Sequence, residues 1–183
     1  MKMLKNVAAV AMAGVMIMSA AGCKALKIEK VSSGDFTSAV EDNTGIELNE
    51  YSYEGIENLY FYNDWYYIDY FEYEDADEAK DVFEDAYDSF DSAKSHNDFS
   101  GSSKYVCVND YGYFLFNGEV EGSGFIAPLS DEYESIASSL DGDVYGGVFW
   151  ADDMIMVVIT RSDDKEDKDY INAILSDLGY PKP

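Results

Sequence analysis

The chain has 183 residues and a formal net charge of −25, from 12 Lys and Arg against 37 Asp and Glu. That balance excludes sequence-independent phosphate binding, so no nucleic-acid partner is expected. One His and two Cys exclude multi-ligand His/Cys zinc sites and a disulfide-rich scaffold. Aromatics at 15% are too abundant for a disordered acidic tail, which leaves an acidic, aromatic-rich globular domain.

Residues 1–22 read as a secretory signal peptide. Lys2 and Lys5 form a positive start, Val7 to Met18 an apolar core, and Ser19 to Gly22 a small-residue stretch ending at Cys23. The core is shorter than the roughly 20 apolar residues a membrane span needs. Ala20-Ala21-Gly22-Cys23 resembles the bacterial lipobox, with Ala20 where Leu is usual. The resemblance implies cleavage before Cys23, diacylation of its thiol and an extracytoplasmic domain anchored to the cell membrane. The alternative is ordinary cleavage after Ala21. Cleavage at Cys23 removes two Lys and no acid, so the remaining chain carries −27. Residues 23–33 then form a short tether whose Lys24, Lys27 and Lys30 are expected near anionic headgroups. Residues 34–183 form one α+β domain.

A helix is expected from Gly34 to Asp42, capped by Ser33 and followed by Gly45. Tyr51 to Tyr73 holds eleven aromatics in 23 residues. Asn63-Asp64 suggests a hairpin turn there, between strands Tyr60–Tyr62 and Trp65–Tyr73. Aromatics occupy both alternating faces, unlike a half-buried strand. Asp75 to Lys94 is the strongest helix, with an Asp75/Glu78 capping box and an apolar stripe from Ala79 to Ala93. Asn97 to Ser103 reads as a polar loop. Tyr105–Val108 and Tyr113–Phe116 read as a second hairpin, and Gly118–Gly124 as a Gly-rich connection. Ser130–Leu140 reads as a weaker helix stopped by Gly142. Gly147–Trp150 and Met154–Thr160 form a third hairpin around Asp152-Asp153. The apolar run Met154 to Ile159 predicts a central strand covered on both faces. A last helix runs from about Asp164 to Leu178, ended by Gly179 and Pro181. The pattern is a leading helix and three hairpin-plus-helix units, hence antiparallel hairpins forming a sheet with amphipathic helices packed on it.

SAAGC, SSGDFTSAVEDNTG, YFEYEDADEAKDVFEDAY, VFWADDMIMVVI and DYINAILSDLGY together resemble a loose family of small uncharacterised lipoproteins of Gram-positive, clostridia-like bacteria. The resemblance implies the fold and the membrane address. It implies no activity, and the segment around 118–142 departs from the shorter family pattern.

No catalytic motif is present. His96, the one His, stands at a helix C-terminus, where a cation is favourable. There is no G-x-S-x-G elbow, Walker loop or dinucleotide loop. Calcium is the more credible chemistry for the clusters Asp141/Asp143, Asp152/Asp153 and Asp163, Asp164, Glu166, Asp167 and Asp169, but none fits an EF-hand loop, and the plainer reading is counter-ion screening of a polyanion. No cofactor and no metal is assigned. Cys107, in a strand-like run, reads as a buried inert thiol. The binding candidate is an aromatic platform of Tyr60, Tyr62, Trp65, Tyr66, Tyr67 and Tyr70, against the plainer role of strand residues that pack their rings. The expected function is a non-enzymatic, membrane-anchored domain binding a protein or envelope component. The alternative is a glycan- or small-ligand-binding lipoprotein, and an acid-based hydrolase ranks third. The oligomeric state is open.

Overall fold

The computed structural model describes residues 26–53, 55–123 and 140–183. The signal segment, Cys23 and most of the expected 130–140 helix lie outside these residues. Seven antiparallel strands form one sheet: β1 (Asn49–Tyr53), β2 (Ile56–Tyr62), β3 (Tyr66–Glu72), β4 (Phe99–Val108), β5 (Tyr111–Ser123), β6 (Leu140–Ala151) and β7 (Met154–Thr160). Their order is β1-β2-β3-β7-β6-β5-β4. Three helices pack on the sheet: α1 (Ser33–Thr44), α2 (Ala76–His96) and α3 (Lys165–Asp177). The α+β class and the helix-on-antiparallel-sheet architecture are as the sequence predicts.

The sheet has a core on each face. On one, Phe83, Ala86 and Phe90 of α2 meet Phe71, Phe114, Val148, Trp150 and Val157. On the other, Phe36 and Val40 of α1 and Ile171, Ile174 and Leu175 of α3 meet Tyr70, Leu115, Phe149, Met156 and Val158. This two-sided cover explains why aromatics occur at consecutive strand positions. Successive side chains point to opposite faces, and both faces are dry. β7 is the middle strand and is buried at all seven positions. The third hairpin therefore sits between the first two.

Local chemistry sets most element ends. Asn63 Oδ1 accepts from the Trp65 and Tyr66 amides at 2.8 and 2.7 Å, closing the β2–β3 turn. The α2 cap is Asp75, as expected, but its carboxylate accepts from the Asp77 amide at 2.8 Å. The α1 cap is Ser32 and not Ser33. Its Oγ accepts from the Asp35 amide at 3.1 Å, and Gly45 takes the left-handed C-cap position at φ 70°.

Other expectations are corrected. β4 begins at Phe99, so most of the expected 97–103 loop is strand, and β5 runs through the glycine-rich stretch to Ser123. The reason is a glycine pair. Gly118 lies across from Gly101, and a Cβ on Gly118 would stand 2.2 Å from the Ser100 carbonyl oxygen. These glycines serve close strand contact, not a flexible link. Leu140 opens β6 across from Ser123, so the sixth strand begins well before Gly147. β1 was not expected. It is a short edge strand, exposed at all five positions, so burial periodicity had nothing to show.

Candidate functional site

Strand alternation divides the aromatic hairpin. Tyr60, Tyr62 and Tyr67 share the α2 face, and the Tyr60 and Tyr62 rings stack at 5.2 Å. Tyr66 and Tyr70 lie on the opposite face among the α1/α3 core. Tyr67 is 9% exposed and Tyr70 1%, so neither offers a ring to a ligand. Tyr70 packs on Phe36 and donates its hydroxyl to the Val31 carbonyl at 2.9 Å. Tyr66 donates to Asp167 of α3, and burial, followed by Asp167, holds the Tyr66 phenol above its ordinary pKa. Only Trp65, 56% exposed at the turn, projects into solvent. The six residues do not form one plane, because neighbours along a strand face opposite ways. What remains on one side is the half-buried Tyr60–Tyr62 pair near the exposed Trp65.

Beneath that pair is a residue the sequence reading missed. Asp69 of β3 is 1% exposed and lies between Tyr60 of β2 and Val157 of β7 in the strand register. Its Oδ1 accepts from the Tyr62 hydroxyl and from Asn58 Nδ2 at 3.2 Å, while its Oδ2 has no hydrogen-bond partner among the described residues. Burial pushes the carboxyl up to about 7, against the opposing pull of the two donors. The Tyr62 phenol is driven up by burial and by Asp69, so it remains a donor. The available signal was one acid inside an aromatic strand. Asn58 Nδ2 also donates to the Tyr70 carbonyl at 3.2 Å, which fixes the amide beside Asp69.

A second ionic site ties the amino-terminal segment to the domain. Lys30 Nζ lies 2.7 Å from Glu72 and 2.6 Å from Asp153. Burial lowers the ammonium pKa, but bonding to Asp153 and Glu72 outweighs it and the pKa is raised. Ile28 is 3% exposed, and the Glu29 carbonyl accepts from the Tyr180 hydroxyl at 2.7 Å. The expectation of a tether through residue 33 is thus corrected. From Ile28 onward the chain is docked, and Lys30 is used by carboxylates of the domain and not free for headgroups. Lys30→Ala leaves two carboxylates side by side, and a loss of about 1–2 kcal/mol in urea unfolding is expected, between surface and buried ion-pair values. An unchanged midpoint would show the triad to be idle.

The remaining candidates are engaged elsewhere. His96 Nδ1 meets the Ser92 carbonyl at 2.8 Å at the end of α2. Cys107 is part-buried, with Sγ 3.7 Å from Glu84. In the acidic run, Asp169 pairs with Lys165, and Glu166 accepts from the Tyr170 hydroxyl. Among the described residues no group of three or more His, Cys, Asp or Glu is arranged to hold a metal ion. None of the described helices is long and apolar enough to cross a membrane. On the other face, between the start of α1 and β1–β2, a depression is lined by Ser33, Glu50, Ser52, Glu57, Leu59 and Tyr70.

The class defined by these features is an antiparallel sheet with helices on both faces and a buried acid–tyrosine–asparagine cluster. No protein-family model, curated protein or solved structure matches the chain.

Proposed function

We propose that this chain is a bacterial envelope lipoprotein, acylated at Cys23, whose domain is a non-enzymatic binding module for a protein or envelope component. The observation that carries the reading is the docked amino-terminal segment. Four residues separate Cys23 from buried Ile28, and the five Cα steps span at most about 18 Å at full extension. An acyl anchor at Cys23 then holds the α1/α3 side close to the membrane and leaves the α2 side turned outward. The lipobox-like SAAGC and the resemblance to small clostridia-like lipoproteins support the same address. The high negative charge favours cationic partners through steering.

Cys23→Ala tests the anchor: the protein is expected in the medium or retained as the uncleaved precursor. A processed, membrane-bound Cys23→Ala variant overturns it. Surface cross-linking of the anchored protein should recover one stoichiometric envelope protein, and a background-only result counts against the binding role.

The second reading is glycan binding at Trp65 and the Tyr60–Tyr62 pair, favoured by the 56% exposure of Trp65 beside stacked rings. It expects tryptophan fluorescence to respond to envelope saccharides and Trp65→Ala to weaken that binding at least tenfold. Equal affinity in Trp65→Ala would sink it.

A further inference from the structure

β4 is the last strand of the sheet, and among the described residues no strand lies along its outer side. It is ten residues long, against five for the opposite edge strand β1. The Glu121 amide donates to the Asp98 carbonyl at 2.8 Å. Bonded pairs recur at every second residue of an antiparallel ladder, so even-numbered positions bond β5. The backbone groups of Phe99, Gly101, Ser103, Tyr105 and Cys107 therefore face outward. Long open edges usually carry a charge or a bulge that blocks pairing. The one charge on β4 is Lys104, and its ammonium lies back over its own sheet, 5.4 Å from the Tyr113 ring centre.

The flank of this edge is also unlike the rest of the molecule. α2 runs beside it, with the Tyr87 ring stacked on Tyr105 at 3.4 Å. Two carboxylates on that side of α2 are answered by lysines: Lys80 with Glu84 at 2.9 Å and Lys94 with Asp91 at 3.5 Å. Asp88, which also bears on the Tyr87 phenol, has no lysine beside it among the described residues, so two of these three carboxylates are answered on a chain of net charge −25. A cationic partner is drawn to the acidic faces. A like-charged molecule meets less repulsion where carboxylates are paired, as two of them are along this rim.

We propose that β4 pairs antiparallel with β4 of a second copy about a twofold axis, joining two seven-stranded sheets into one. A twofold axis normal to the sheet reverses strand direction and keeps each face on its own side, so the outward groups of the two strands meet. With Ser103 on the axis, the exposed Tyr105 ring stands across from the partner's Gly101, and Cys107 across from the partner's Phe99. Tyr105 then covers the position that has no side chain. The pairing does not depend on lipid anchoring or on the identity of any envelope partner.

The test is Ser103→Cys in the full chain, with Cys107→Ser to remove the native thiol. Directly opposed residues in a bonded antiparallel pair lie about 5.5 Å apart, within disulfide reach. Mild oxidation should give at least tenfold more disulfide-linked dimer than Ser38→Cys, placed on exposed α1, in the same background. Equal yields overturn the proposal. A second variant, Ser103→Pro, removes an outward amide and leaves the β5 ladder intact. Light scattering should show a doubled mass for the native chain and a single mass for Ser103→Pro, with matching thermal melts. A native chain of single mass, or a doubled mass that survives Ser103→Pro, overturns it as well.

Discussion

Stability should fall as pH rises through neutrality, and Asp69→Asn should remove most of that fall. Asp69 titrates near 7 in the folded chain, above the ordinary carboxyl value of 3.8. A carboxyl whose pKa is raised by folding keeps its proton in the native state while the unfolded chain has already lost it. The native state therefore binds more protons between about pH 4 and 7, and its stability declines across that window. The gap between the two pKa values corresponds to about 4 kcal/mol, with more than half of the loss falling above pH 5. The physical cause is burial: the ionised carboxylate is stripped of water, and the donors at Oδ1 leave Oδ2 with no partner among the described residues. The chain's general negative charge also disfavours the folded state at high pH, so the comparison must be with Asp69→Asn, which keeps the shape. Urea unfolding at pH 5 and 8.5 makes the check. The native chain should lose about 2–3 kcal/mol more than Asp69→Asn between those points. Parallel losses would mean that Asp69 is ionised at both.

Phe90→Ala should be strongly destabilising. Phe90 is 1% exposed and sits amid Phe99, Phe114 and Phe116, with ring centres at 5.0, 5.4 and 5.7 Å. Its removal takes away the transfer energy of one ring and opens a cavity lined by three others. The expected cost is about 3–5 kcal/mol, a large fraction of the roughly 5–15 kcal/mol that holds a typical domain together. Thermal melting of the variant reads it directly, and a loss under about 1 kcal/mol would mean that the cluster collapses to fill the space. The two predictions are independent in mechanism: one concerns an uncancelled charge and the other missing volume.

The sequence carried the elements whose energetics are periodic. α2 was legible from its apolar stripe and its Asp75 cap, and β7 from an apolar run that only a doubly covered strand tolerates. The aromatic hairpin was legible as a hairpin because Asn63 turns the chain with its own side chain. Where periodicity was absent, the reading failed. Gly101 and Gly118 spell a loop when read along the chain and a close strand contact when read across it. β1 is exposed throughout, so no burial pattern marked it.

The candidate site was less legible than the fold. The aromatics were visible as a group, but their division between two faces and the burial of Tyr67 and Tyr70 depend on what covers each face. Asp69 resembles any of 37 acids until strand pairing places Asn58 and Tyr62 beside it. Lys30 reads as a headgroup contact until Glu72 and Asp153, from distant parts of the chain, converge on it. By itself the sequence determined the class of fold, the central strand, the strongest helix and the acidic character. Only the tertiary structure decided which aromatics are covered, which acid is stripped of water and where the chain leaves the domain. The division is physical: periodicity and capping act over one or two turns of chain, whereas desolvation and ion pairing are set by residues that only folding brings together.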